Sequence, residues 1–370
     1  MTPFRLKKAG WGTLLERRDL LTEPDPIFDS ADFLAVIGRI LAGLLGGDGV
    51  VNALETRSGT FNRVIKFTYA GRRLGVRLAM NQMHFRYERD LIKEVFASSL
   101  LKAAGGPMDD QRVGAQLEEL RNKPRGTLTS HDSVRSILYY DWSMEELPYP
   151  FFLFEWIEGS VLWEQPFPES YVAAGRILAG VHEVRFERFY ENILTIHHTP
   201  RSWRDHLRVC LNRELARAEL ALPEKLVRRM AELDMSALEP GPACLIHNDF
   251  SGANIVVDTT GRLHVIDWDN WVVDCPELDL VKMKYWTAIG REGRLMHRAE
   301  LYDAFLDGYR SASDTPIDEG RLRAYEYLWL LRCFNFESSR EATGYDGTGN
   351  DSWRHVYPRA RYYLDLLESL

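Results

Sequence analysis

An α+β fold in two parts is expected from three observations: β-leaning runs crowd the first part of the chain, a helical period takes over from Pro168, and one short β-rich block at Leu245–Trp268 interrupts the helices. At 370 residues the chain is long enough for two domains or two lobes around a cleft.

The elements follow in order. Residues 1–47 read as an N-terminal extension: charges mixed with Pro24 and Pro26 suggest an arm, then Ser30 and Asp32 can cap a helix that runs to about Leu45 and stops at Gly46-Gly47. From Leu54 to Met80, Gly59 and Gly71 punctuate runs that predict an antiparallel meander. Tyr87–Ala103 carries Leu91, Val95, Phe96 and Leu100 at helical spacing and closes on Gly105-Gly106. Residues 107–132 read as an insertion with a polar helix, followed by strands at Val134–Tyr140 and Pro150–Trp156 and a turn at Glu158-Gly159. Three strands and then a helix is the small-lobe order of a kinase-like fold, so 48–157 is read as one lobe and 158–370 as a helical second lobe. That second lobe holds helical runs around Ile177–Val181, Trp203–Leu220, Glu300–Arg310, Glu319–Phe336 and Pro358–Leu370.

Composition excludes some functions. A formal net charge of −8 argues against a nucleic-acid surface, which needs clustered Lys and Arg. Cys210, Cys244, Cys275 and Cys333 are scattered without a CxxC pair, so reduced thiols are expected rather than a disulfide or zinc framework. The longest apolar segment, Phe33–Leu45, is too short to span a bilayer and contains Arg39. With no secretory pattern after Met1, a cytoplasmic protein that does not engage a membrane is expected.

The chemistry is concentrated in two stretches, His247-Asn-Asp-Phe-Ser-Gly-Ala-Asn254 and Ile266-Asp-Trp-Asp269. Phosphoryl transfer needs a carboxylate beside the attacking hydroxyl and hard oxygen ligands for magnesium, because the reaction is mostly positioning and charge neutralisation. Asp249, Asn254 and Asp267 could supply these in that order. Alone, Asp249 also suits a turn and Asp267 also suits a cap. The spacing, with Asp249 past one apolar run, Asn254 before a second and Asp267 after a third, favours the functional reading.

On these residues the chain resembles the aminoglycoside phosphotransferase and choline kinase superfamily of protein-kinase-like small-molecule kinases. The resemblance runs from about Val50 to Tyr309 and implies a bilobal fold, with an antiparallel β-rich N-lobe and a mainly helical C-lobe. It implies Asp249 as catalytic base and Asn254 and Asp267 as holders of Mg2+. In Pro276-Glu-Leu-Asp279-Leu280, Asp279 stands where the family anchors its catalytic loop, and Asp269 and Asp274 lie nearer a substrate. Ser58-Gly59-Thr-Phe-Asn62 resembles the nucleotide-covering loop, with a plain β-turn as the alternative. Arg77 stands on the third strand where the family has a phosphate-touching Lys or Arg, with Lys66 as its rival. Glu94 is the expected partner of Arg77, with Glu88 as the alternative. Backbone groups from Glu155 to Ile157 would meet the adenine, which leaves ATP and GTP undistinguished. His182 and His247 are read as structural, and His197-His198 as a loop pair.

The resemblance implies an ATP- and Mg2+-dependent kinase acting on a hydroxyl of a small molecule. An aminoglycoside or other antibiotic is the first expectation, with acidic residues such as Asp205, Glu300, Asp303, Glu337 and Asp346 available to meet amines. A metabolic kinase of choline, aminoalcohol or sugar type is the second. A catalytically silent nucleotide-binding scaffold is the reading from another class, and Trp268-Asp269 in place of Phe-Gly speaks against a protein kinase. Oligomeric state has no signature.

Overall fold

The computed structural model describes residues 31–47, 49–58, 62–79, 91–102, 106–128, 135–147, 149–198, 202–218, 222–233, 235, 238–290, 293–342 and 356–370. Gly59, Glu88, Asp346 and the arm before Ala31 lie outside these, as do the side chains of Ser58 and Asn62. The described residues form two compact units, one up to Lys102 and within 116–158, the other within 103–115 and from Gly159 onward.

The first unit contains α1 (Ala31–Leu45), β1 (Asn52–Ser58), β2 (Asn62–Tyr69), β3 (Arg72–Ala79) and α2 (Lys93–Lys102). After α3 (Asp110–Asn122) come β4 (Arg125–Gly126), β5 (Ile137–Asp141) and β6 (Phe151–Glu155). The six strands form one sheet in the order β1-β2-β3-β6-β5-β4, antiparallel throughout. Ala70 and Gly71 join β2 to β3 with φ of 48° and 78°, the left-handed pair whose twist suits a two-residue hairpin.

Two features of this region add to the sequence reading. On the expected helix α1, Phe33, Val36, Ile37 and Leu41, spaced to share one face, are buried in the same core as Ile65, Phe67 and Tyr69 of β2 and Leu74, Val76 and Leu78 of β3. Each such side chain contributes about 1.5–3 kcal/mol on full burial, so the sheet depends on this helix. Within the segment read as an insertion, Met108 bridges Phe186 and Asp110 accepts a hydrogen bond from Tyr190 at 2.7 Å, all inside the second unit.

That second unit continues with β7 (Gly159–Val161), α4 (Pro168–His182), β8 (Arg185–Phe186), β9 (Tyr190–Asn192), β10 (His197–His198), α5 (Trp203–Ala216) and α6 (Glu224–Ala231). Next come β11 (Ala243–Ile246), β12 (Ile255–Asp258), β13 (Leu263–Val265), β14 (Val272–Asp274) and α7 (Glu277–Tyr285). β15 (Ala288–Ile289), β16 (Leu295–Met296), α8 (Ala299–Ala312), α9 (Glu319–Ala342) and α10 (Ala360–Ser369) complete it. His197-His198 thus pairs with β9 rather than lying in a free loop.

Two three-stranded sheets position the site: β11 lies between β14 and β8, and β12 between β13 and β7. α4 and α8 pack backbone against backbone. A methyl group on Gly175 would strike the Phe305 carbonyl, and one on Gly308 the Val172 carbonyl, so both positions need the missing Cβ. No described helix is long and apolar enough to cross a membrane.

Candidate active site

β11 is buried at every residue, as a central strand should be, and it delivers His247 into the core with no exposed surface. From there the chain is held by Asp279 in the first turn of α7. Its Oδ2 accepts from the His247 N–H and its Oδ1 from the Asn248 N–H, both at 2.7 Å. Charge-assisted bonds to two successive amides hold the loop at a helix start, where a carboxylate is also favoured by the helix dipole. His182 reinforces the anchor, with Nε2 3.3 Å from Asp279 and Nδ1 2.9 Å from the Tyr309 hydroxyl. Asn248 has φ of 60°, a left-handed conformation that Asn tolerates better than most residues.

The His247 ring locks the next residue. Its Nδ1 accepts from the Asp249 N–H at 3.2 Å, which places the ring proton on Nε2, and Nε2 donates to the Ile266 carbonyl at 3.0 Å. The Asp249 carboxylate emerges partly exposed and meets the Lys282 ammonium, which also donates to the Asn248 carbonyl at 3.0 Å. Burial pushes the Asp249 carboxyl up, but the Lys282 charge and hydrogen bond, helped by His247 and Asn254, hold it below the usual carboxylate range. An ionised carboxylate suited to accept a proton results.

Asn254 closes the loop, with its N–H donating to the Ser251 carbonyl and its side-chain amide to the Asp249 carbonyl, both at 2.9 Å. Because the amide nitrogen is turned to Asp249, Oδ1 is the atom that remains to bind a cation. Across the hairpin the Ile266 N–H donates to the Asn254 carbonyl at 2.9 Å, which brings Asp267 to the neighbouring strand end. Asp267 takes φ of 65°, a left-handed conformation that Asp, like Asn, adopts more readily than most residues, and heads the short 3-10 turn Trp268–Asn270 without a side-chain capping bond. One amide oxygen and one carboxylate are hard donors that suit Mg2+, which takes few protein ligands and completes its shell with phosphate and water. No cluster of three or more His, Cys, Asp or Glu able to cage a metal occurs among the described residues.

A cavity of about 440 Å³ opens beside Asp249. Asn248, Asp249 and Asn270 line it at the loop, Lys282 and Trp286 at α7 and just beyond it, and Trp329, Arg332, Cys333, Phe336, Glu337 and Arg340 along one face of α9, with Tyr357 and Tyr363 completing it. Lys282 was not foreseen from sequence, and of this face of α9 only Glu337 was named, because the helical repeat from 329 to 340 otherwise reads as ordinary packing. Of the acidic residues expected to meet amines, Glu337 lines this cavity and is paired with Arg340 at 2.7 Å; Glu300 is paired with Arg298, and Asp205 takes part in the Ser202 cap of α5. A second cavity of about 230 Å³ shares Asn248 and Arg332 and includes Asp274, His206 and Cys210. Burial pushes the Asp274 carboxyl up, although the Tyr325 hydroxyl and the Cys275 N–H both donate to it. Asp269 sits on the 3-10 turn and lines neither cavity.

In the first unit, Arg77 on β3 pairs with Glu94 on α2 at 2.6 Å. Arg135, which sequence reasoning missed, holds the other Glu94 oxygen and lies 4.0 Å from the Phe154 ring centroid. Two buried guanidiniums thus converge on one carboxylate. Lys66 is engaged elsewhere, with Glu158 at 2.7 Å. At the expected hinge, the Glu155 and Trp156 N–H groups donate within the sheet to Ser136 and Arg73, both at 3.1 Å, and the Glu155 side chain pairs with Arg72. Among the described residues the Ile157 N–H has no backbone acceptor.

Comparison with known proteins agrees with the fold. The chain resembles solved structures of a choline/ethanolamine kinase family protein from Mesorhizobium loti (17% identity, TM-score 0.55, covering 93% of this chain and 94% of that one) and of a spectinomycin phosphotransferase with ADP and spectinomycin (13%, 0.51, 90% and 98%). It also resembles a thermostable aminoglycoside phosphotransferase in ternary complex with AMP-PNP and hygromycin B (15%, 0.54, 90% and 97%). At these identities the likeness establishes the bilobal kinase-like fold. No curated protein matches the sequence. A family model described as "Phosphotransferase enzyme family" matches residues 56–325, most of the chain, and the protein therefore belongs to that family and is a small-molecule kinase.

Proposed function

We propose that the protein transfers the γ-phosphoryl group of ATP to a hydroxyl of a small molecule bound in the cavity beside Asp249. The observation that carries this reading is Asp249 itself, an ionised carboxylate fixed by Lys282 and His247 at the edge of a cavity large enough for an acceptor. Asp249 accepts or orients the hydroxyl proton as the oxygen attacks phosphorus. Lys282 keeps the carboxylate deprotonated and aimed. Asn254 Oδ1 and the Asp267 carboxylate would hold Mg2+, which when bound neutralises charge on the phosphates. Arg77, kept in place by Glu94, would grip phosphate oxygens with Arg135 beside it, and Ile157 would meet the base, with GTP as the alternative nucleotide. Ser58, Gly59 and Asn62 are proposed to cover the nucleotide.

The acceptor classes to be separated are hydroxylated antibiotics, as in the structural relatives with spectinomycin and hygromycin B, and metabolic alcohols or sugars. Four free thiols and a need for MgATP fit a cytoplasmic location. The test is MgATP consumption by the purified chain over such a panel, wild type against Asp249→Asn. Acceptor-dependent turnover that the variant loses supports the reading. Equal turnover in both, on the same acceptor, rejects it.

A further inference from the structure

We propose that the cavity beside Asp249 takes a neutral or anionic hydroxylated acceptor with a flat apolar or sugar face, and rejects polycations and ammonium alcohols. This rests on reading that cavity as the acceptor site. Two carboxylates line it among the described residues, and both are already matched, Asp249 by Lys282 and Glu337 by Arg340. Burial pushes the Glu337 carboxyl up, so its negative charge is the less secure of the two. A third cation, Arg332, reaches its nearest recorded carboxylate, Glu214, only at 3.8 Å, and Glu214 lies outside the cavity. A ligand bearing several ammonium groups would therefore meet, among the described residues, a lining with one net positive charge and no uncommitted carboxylate. Like charges at short range in a partly dry site are costly.

Aromatic walls alone would leave a quaternary ammonium possible, since a cation over an indole face is favourable. Here the chain's own cations hold those faces: Lys282 Nζ lies 5.6 Å from the Trp286 centroid and Arg340 Cζ 5.6 Å from that of Phe336. The walls are also stiff. Trp286 donates to the Tyr363 hydroxyl at 3.0 Å and packs edge-on to Trp329 with centroids 5.0 Å apart. Rigid aromatic surfaces suit the flat face of a ring or the C–H face of a sugar, and Arg332 suits a carboxylate or phosphate on it.

The test uses three ligands of one shape and different charge, nitrophenyl glucuronide, nitrophenyl glucoside and nitrophenyl glucosaminide with a free amine, titrated calorimetrically into the full chain. The expected order is glucuronide tightest and amine weakest, about tenfold or more apart. Arg332→Gln should bring the glucuronide down to the glucoside, while Arg332→Lys, which keeps the charge, should largely preserve the gap. An amine glycoside or hygromycin B that binds as tightly as the glucuronide overturns the proposal, and so does failure of all three glycosides to bind. MgATP is titrated in parallel: its failure to bind strikes the kinase mechanism, while the charge ranking still judges the cavity.

Discussion

The two units each build an acid–base pair around a single carboxylate, and the difference between them is instructive. In the first, Glu94 faces two guanidiniums, Arg77 and Arg135, and all three side chains are almost fully buried. In the second, Asp249 faces one ammonium, Lys282, and both are partly open to solvent. Two guanidiniums converging on one carboxylate make a buried, cation-rich cluster, which is proposed to suit a polyphosphate. One cation on one carboxylate cancels, and what remains is a base kept ionised at the mouth of a cavity. Similar residue types are thus proposed to serve binding in one unit and proton transfer in the other.

The largest expected effect breaks the second pair. Asp249→Asn should lower kcat by about 10²–10⁴-fold, the range for a lost general base, with MgATP affinity changed little by calorimetry. Breaking the first pair should instead strike the fold. Glu94→Gln leaves two buried guanidiniums without a counter-charge and should cost about 3–5 kcal/mol in urea unfolding.

A finer test separates charge tuning from positioning. Lys282→Met removes the cation that offsets the burial of Asp249, so the Asp249 pKa should rise. A base is active above its pKa and lost as pH falls through it. The acidic limb of the kcat/KM profile should therefore move upward, by about 1–3 units if the pair behaves as close carboxylate–cation pairs do. An unmoved limb would make Lys282 a positioning residue alone. At the small end, Arg361 and Asp365 on α10 form an exposed i,i+4 pair at 2.7 Å. Arg361→Ala should shift unfolding by no more than about 0.5 kcal/mol, against which the Glu94 effect can be judged.

Much of this was legible in the residues themselves. The antiparallel meander, the hairpin carrying Asn254 and Asp267 and the helices from Pro168 onward follow from period and punctuation, which are local properties. The pairing of Arg77 with Glu94 was anticipated from their places on β3 and α2. What was not legible is non-local. Lys282 lies 33 positions from Asp249, and Arg135 lies 41 from Glu94, so no spacing announces either contact. α1 looked like an extension because nothing in its own stripe of Phe33, Val36, Ile37 and Leu41 says which sheet it covers. The hydrogen bonds that the Glu155 and Trp156 amides make inside the sheet, to Ser136 and Arg73, were likewise not legible locally.

The sequence by itself determined the order of the groups proposed to act, Asp249, then Asn254, then Asp267, because each follows or precedes a short buried strand and that pattern is written in consecutive residues. The tertiary structure alone decided the charge presented to an acceptor. Acidic residues scattered through the helices promised a welcome for amines, yet folding pairs Glu337 with Arg340 and Asp249 with Lys282 and adds Arg332 to the same wall. Net charge in a cavity is a sum over residues distant in sequence, and only their packing determines which of them cancel.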